Sequence, residues 1–236
     1  MSSHLQITQA AVEAEPVWKM IYLARRNPEL AAADFPQAWR EHSALGRQCR
    51  NVAQRVHAVA QCSRVLEAQA SAFTQAYDGV NLMVLADRES GLAIWSDPDT
   101  LAVMRPDEPR VFADYVRNFS MLCREQLLFS EVPEPALAKT GDTLLIGFLQ
   151  LQHEWQRAAA GPEELPAAWL AGGLAHARRV VCNLVDEPPP AGYGYRCIVE
   201  WWFEDVAQAL AAAEGVKSAA FGECVFMLTQ VTHSRP

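Results

Sequence analysis

The order in which strand-like and helix-like segments follow one another, and then do so again after a proline-bearing break, constrains this chain more than any single motif. Residues 18–24 form a strand candidate that is apolar on both faces, followed by a turn-rich passage with Asn27-Pro28. Asp34 then stands where a helix cap belongs, for a helix running to about residue 50. Its marks Phe35, Trp39, His42, Leu45 and Cys49 step by three and four and so share one face. A second strand covers 56–66, and Asp78-Gly79 turns the chain into a third over 80–85. Asp87 caps a helix through Trp95 that Asp97-Pro98 ends. A short helical piece around Phe112 precedes a strand over 119–129. Residues 131–141, with Pro133, Pro135 and Gly141, read as a linker. The pattern then restarts: strand 143–151, helix 162–177, strand 180–185 stopped by Pro188-Pro189-Pro190, and strand 196–203. A helix over 206–214, capped by Asp205 and ended by Gly215, leads to a last strand over 221–231.

Each pass spells β-α-β-β-α-β, the ferredoxin-like unit, which sets two helices on one side of a four-stranded antiparallel sheet. The other sheet face is left bare and, here, apolar. Two such faces can close on each other. The expected fold is therefore α+β: two ferredoxin-like βαββαβ units forming a single-chain pseudo-dimeric α/β barrel. An arm (1–17) would precede one repeat (18–130), the linker (131–141) and a second repeat (142–232). The space between the sheets is the natural pocket. Faint local matches support the repeat, such as Ile21-Tyr22-Leu23 with Gly147-Phe148-Leu149 and Asp34-Phe35-Pro36-Gln37-Ala38-Trp39 with Glu164-Leu165-Pro166-Ala167-Ala168-Trp169.

Composition narrows the function. A net charge of −8 repels phosphate backbones and no basic stripe offsets it, so no nucleic-acid partner is expected. No run approaches the roughly 20 apolar residues that span a bilayer, and the polar start lacks a signal-peptide pattern. Cys49, Cys62, Cys123, Cys182, Cys197 and Cys224 contain no C-x-x-C pair. They read as reduced, buried thiols in a cytoplasmic protein without disulfides. His153-Glu154 has no second histidine at ligand spacing, and His176 and His233 are isolated, so no metal site is expected. Nucleotide and hydrolase glycine motifs are absent too. No cofactor is expected, although haem stays open because one histidine suffices as an axial ligand.

Lys19-Met20-Ile21-Tyr22-Leu23-Ala24-Arg25-Arg26, then Asp34-Phe35, Trp39-Arg40-Glu41-His42 and Tyr77-Asp78-Gly79-Val80 resemble the EthD family of the dimeric α/β-barrel superfamily. Asp107-Glu108-Pro109-Arg110-Val111-Phe112 is similar to that family's acidic loop before its last strand. The resemblance covers about residues 18–130 and is weak beyond, where the helix histidine becomes Gly172. It implies the barrel fold and, through related barrels, cofactor-free monooxygenases, decarboxylases and cyclases of polyketides, or haem enzymes. EthD-like proteins themselves are mostly uncharacterised.

His42 is the sharpest catalytic candidate, since a histidine near neutral pKa at a pocket edge suits proton abstraction. A core-sealing histidine is the structural counterpart. His57 is the second, expected to share a strand face with Val59 and Gln61. Gln61 would be a polar group in an apolar cavity. Tyr22, Trp39, Trp95 and Trp202 could contact a planar ligand, while core packing is the commoner use of aromatics. Glu200, between apolar neighbours, needs a partner or a raised pKa. Asp78 reads as a turn residue, and Arg25 and Arg26 as a solvated strand end. These residues point to a small-molecule enzyme acting on an apolar or aromatic, phenolic or polyketide-like metabolite. It would be a cofactor-independent oxygenase or decarboxylase with a histidine base. The alternatives are a non-catalytic carrier of the same fold, or a degenerate scaffold. Either a monomeric pseudo-dimer or a homodimer fits.

Overall fold

The computed structural model describes residues 16–68, 73–150, 176–218 and 224–235. The N-terminal arm up to residue 15, the expected helix up to residue 175 (with Trp169 and Gly172) and His153-Glu154 lie outside the described residues.

Eight antiparallel strands close into one barrel. They are β1 (Trp18–Ala24), β2 (Val56–Arg64), β3 (Gly79–Leu85), β4 (Ser120–Ser130), β5 (Thr143–Leu149), β6 (Arg179–Val185), β7 (Cys197–Phe203) and β8 (Cys224–Arg235). Their order around the barrel is β1-β3-β2-β8-β5-β7-β6-β4. Each half thus has its first strand between its third and fourth, and the halves join where β2 meets β8 and β6 meets β4. The expected α+β barrel is what forms.

Strand alternation divides the apolar residues into three bodies. Ile21, Leu23, Leu82, Met121, Ile146 and Met227, with their neighbours, fill the barrel interior. Met20, Tyr22, Val59, Met83 and Leu122 face outward beneath the helices of the first half. Leu145, Val199, Trp201 and Phe203 face outward in the second half, packed with Ala209, Ala212 and Ala213. Most of the space between the sheets is packed with side chains, as in other eight-stranded barrels. The expected pocket there is present at one end, as a cavity lined by Lys19, Ala60, Leu82 and Trp202, and a second cleft, described below, lies between the sheet and the helices.

Helix α1 (Phe35–Leu45) buries Phe35, Ala38, Trp39 and His42, the expected stripe. It stops earlier than expected. Gly46–Gln48 tightens into a 3₁₀ turn, Cys49 is extended, and α2 (Arg50–Arg55) starts afresh. The cause is tertiary: the Asp99 carboxylate, from a distant loop, accepts from Arg50 N at 3.1 Å. Asp34 makes no side-chain cap. Asp87 does cap α3 (Arg88–Ala93), accepting from Ser90 N at 2.7 Å. A π-helical turn (Thr100–Met104) leads to the short α4 (Glu108–Val111). Helix α5 (Val206–Ser218) runs through Gly215, whose cost of about 1 kcal/mol does not by itself end a helix.

Asp78 does more than turn the chain. It is buried and bonds Arg26 (2.6 Å) and Arg64 (3.4 Å), while Arg25 stacks on Tyr77, so neither arginine is simply solvated. Gly79 is required for space, not for a left-handed turn. A β-carbon there would sit 2.5 Å from Trp39 Cζ3 and 3.0 Å from the Cys62 carbonyl. Gly79→Ala should cost about 1–3 kcal/mol in urea unfolding and displace the Trp39 ring, visible in tryptophan fluorescence. An unchanged midpoint and spectrum would refute the close approach. All six cysteines are unbridged, five of them buried.

Candidate active site

Neighbouring strands place a row of polar side chains on an otherwise apolar sheet face. Tyr22 of β1 stands opposite Asn81 of β3, and Asn81 opposite Gln61 of β2. α1 lies over this row and adds Trp39 and His42, and the π-helical turn and α4 add Thr100, Met104 and Glu108. Together they line a cleft of about 540 Å³ measured out to its mouth, of which about 50 Å³ admits the centre of a water molecule. Trp95 stands at Tyr22, ring centroids 5.9 Å apart. Arg235 of β8 closes one wall.

His42 is 5 % exposed, its Nδ1 2.9 Å from Asp107 Oδ2, with Phe112 edge-on at 5.4 Å. Arg110 grips the same carboxylate through Nε (2.7 Å) and Nη2 (3.1 Å). Burial pushes the imidazole below its ordinary value, against the pull of Asp107. Burial opposes ionisation of Asp107, but Arg110 and His42 outweigh it and hold that carboxyl low. An ionised Asp107 fixes the proton on Nδ1 and leaves the Nε2 lone pair as the basic position. Glu108 is 1 % exposed and accepts from Val116 N at 2.9 Å, with Arg105 at 3.4 Å; burial raises its pKa. Burial and Glu108 push the Tyr22 hydroxyl up, against Arg235.

The structure thus gathers His42, Tyr22, Trp39, Gln61 and Trp95 at one cleft and sets His57, Glu200 and Trp202 apart. His57 sits at a register shift between Val56 and Ala58, which takes it off the face of Val59 and Gln61. It is exposed at the barrel mouth, beside a cavity of about 1140 Å³ measured out to its mouth, of which about 390 Å³ admits the centre of a water molecule, larger than the His42 cleft on both measures. Glu200 and Trp202 point into the barrel interior. Glu200 is fully buried and accepts from Lys19 Nζ (2.7 Å), Asn183 Nδ2 (2.9 Å) and Trp202 Nε1 (3.0 Å). Lys19 also meets Glu125 at 2.6 Å, Arg179 joins Glu125 to Glu134, and Arg179 lies 4.8 Å over the Trp202 ring.

Sequence reasoning missed Asp107, Glu108, Asn81 and Arg235 as site residues. Asn81, polar in an apolar strand, was a readable signal; Arg235 carried none. Among the described residues no group of three or more His, Cys, Asp or Glu could hold a metal.

No family model and no curated protein matches the sequence. Solved structures do match. An anthrone oxidase-like protein superposes with a TM-score of 0.58 at 13% identity, over 94% of each chain. A candidate monooxygenase from Fusobacterium nucleatum gives 0.54 at 8% identity, again over 94% of each chain. A candidate chlorite dismutase gives 0.51 at 10%, covering 92% of this chain and 95% of its own. The chain has the dimeric α/β-barrel fold. At such identities the dimeric α/β-barrel likeness speaks for architecture alone. Among the described residues no helix is long and apolar enough to cross a membrane.

Proposed function

We propose that this chain is an EthD-like enzyme acting on an apolar or aromatic, phenolic or polyketide-like metabolite. It uses His42 as general base, without a cofactor. The observation that carries this reading is the His42–Asp107 pair at the edge of an apolar cleft. The pair resembles in logic any base oriented by a carboxylate. Asp107 holds the proton on Nδ1, and Nε2 of His42 takes a proton from an acidic carbon of the substrate. The carbanion then reduces dioxygen. A CH₂ group becomes C=O, one oxygen atom enters the carbon and the other leaves as water, so the substrate is its own reductant. The apolar walls keep bulk water from quenching the carbanion. On a β-keto acid the same site would instead release carbon dioxide. The names of the structural neighbours, anthrone oxidase-like and monooxygenase, support the oxidative branch.

A carrier of the same fold is the second reading. The presence of several titratable groups in the cleft, His42 and Glu108 among them, favours the enzyme. An oxygen-electrode screen of anthrones, naphthols and β-keto acids should find at least one substrate with stoichiometric oxygen uptake or carbon dioxide release. Ligands that bind without turnover across the whole panel would favour the carrier.

A further inference from the structure

Three polar groups of the cleft are left without partners, and together they describe a ligand. Gln61, 1 % exposed, donates Nε2 to the Trp39 carbonyl at 3.1 Å, which fixes its amide and leaves Oε1 as a buried acceptor with nothing to accept. Asn81, 2 % exposed and directly across the strand pair, has a buried Nδ2 donor without a partner. Cross-strand partners stand about 4.5–5.5 Å apart at their β-carbons, so both amides are within reach of adjacent groups on one ligand. Arg235 pairs with Val59, two residues from Gln61, and its Nε is buried without a partner. Its Nη2 lies 3.7 Å from where a β-carbon on Gly46 would be, one helical turn beyond His42.

The other charges at the cleft are already matched: Glu108 by Arg105, and Asp107 behind the neutral His42 by Arg110. Arg235 has no carboxylate within 4.0 Å among the described residues. A guanidinium on an apolar cleft without a counterion, beside buried unpaired amides, is costly unless a ligand completes it.

We infer that the cleft recognises a ring carrying an ionised oxygen next to a hydroxyl. The oxyanion is received by Arg235 and Asn81 Nδ2, and the neighbouring hydroxyl donates to Gln61 Oε1. A plain carboxylate fits less well, because its second oxygen would face the Gln61 acceptor. The inference rests on the cleft being the ligand site, as proposed above, and narrows the substrate to vicinal or peri-hydroxylated phenols and enols.

4-Nitrocatechol tests it without turnover, because its visible absorption reports ionisation. The protein should bind its monoanion about 10-fold to 100-fold more tightly than 4-nitroanisole, and more tightly than 4-nitrophenol or 4-nitrobenzoate. Arg235→Gln should abolish the preference for the anion, and Gln61→Met should erase that of 4-nitrocatechol over 4-nitrophenol, with circular dichroism confirming folded proteins. The ligand series on the unmodified protein decides the matter even if a variant fails to fold. Equal affinity for 4-nitroanisole, or tighter binding of 4-nitrobenzoate, overturns the inference. Binding as described without any turnover leaves it standing and removes the enzyme reading. Turnover of a substrate lacking the hydroxyl pair, unaffected by Arg235→Gln, does the reverse.

Discussion

Replacing His42 with alanine is expected to lower turnover by about 100-fold to 10,000-fold, the usual worth of one general-base step. The fold should survive, because Asp107 keeps both of its Arg110 bonds when the imidazole is gone. Asp107→Asn should approach the same loss by another route. An amide N–H facing Nδ1 would turn it into an acceptor, move the ring proton to Nε2 and remove the basic lone pair from the cleft. The pH profile follows from the direction of the His42 shift. The base works when neutral, so rate is lost as pH falls through its folded pKa, which burial sets below the ordinary imidazole value. The acid limb should therefore lie below the position an exposed histidine would give. Stopped-flow or oxygen-uptake rates across pH, on any substrate from the screen, check all three. Unchanged turnover in His42→Ala would sink the assignment of the base.

The second large effect concerns stability. Lys19→Met should destabilise the protein by about 3–5 kcal/mol near pH 7, because it takes the ammonium from the buried Glu200 and leaves the half-buried Glu125 with Arg179 alone. The pH dependence separates this from a mere packing change. Burial works against ionisation of Glu125, but Lys19 and Arg179 together hold its carboxyl below the ordinary range. That stability is present above the ordinary carboxylate pKa and lost as pH falls through the depressed one. For Lys19, burial opposes the charge while Glu125 and Glu200 raise its pKa on balance. Its contribution is thus present below the ordinary lysine value and fades as pH rises through the raised one. In the Lys19→Met protein a stranded carboxyl can take up a proton, so the gap to the parent should narrow as pH drops through the carboxylate range. Urea unfolding at several pH values reads both. A loss under about 1 kcal/mol at pH 7 would show that the cluster does not hold the barrel interior.

What the sequence made legible was whatever repeats locally. The Phe35–Trp39–His42 stripe follows from helical spacing, and the strand order follows from apolar runs between turn residues. Glu200 was flagged as a buried carboxylate in need of a partner, but the partner, Lys19, lies 181 positions away. Asp107 is 65 positions from His42 and meets it only because α4 folds back over α1. The end of α1 depends on Asp99, and the face of His57 on a bulge, neither of which periodicity encodes. Sequence pattern thus shows which residues are held against the sheet. Which polar groups meet there depends on register between strands and on loops far apart in the chain.

The seam between β2 and β8 joins the two halves within one polypeptide, and it brings Arg235 to a cleft built otherwise from the first half. Closure is therefore unimolecular, and dilution cannot open it. In a symmetric dimer every substitution appears twice, so a residue that serves one cleft must also be tolerated in its mirror image. Here the strand that carries Arg235 can be altered without changing β4, its counterpart in the first half. The cleft can be tuned from one side alone.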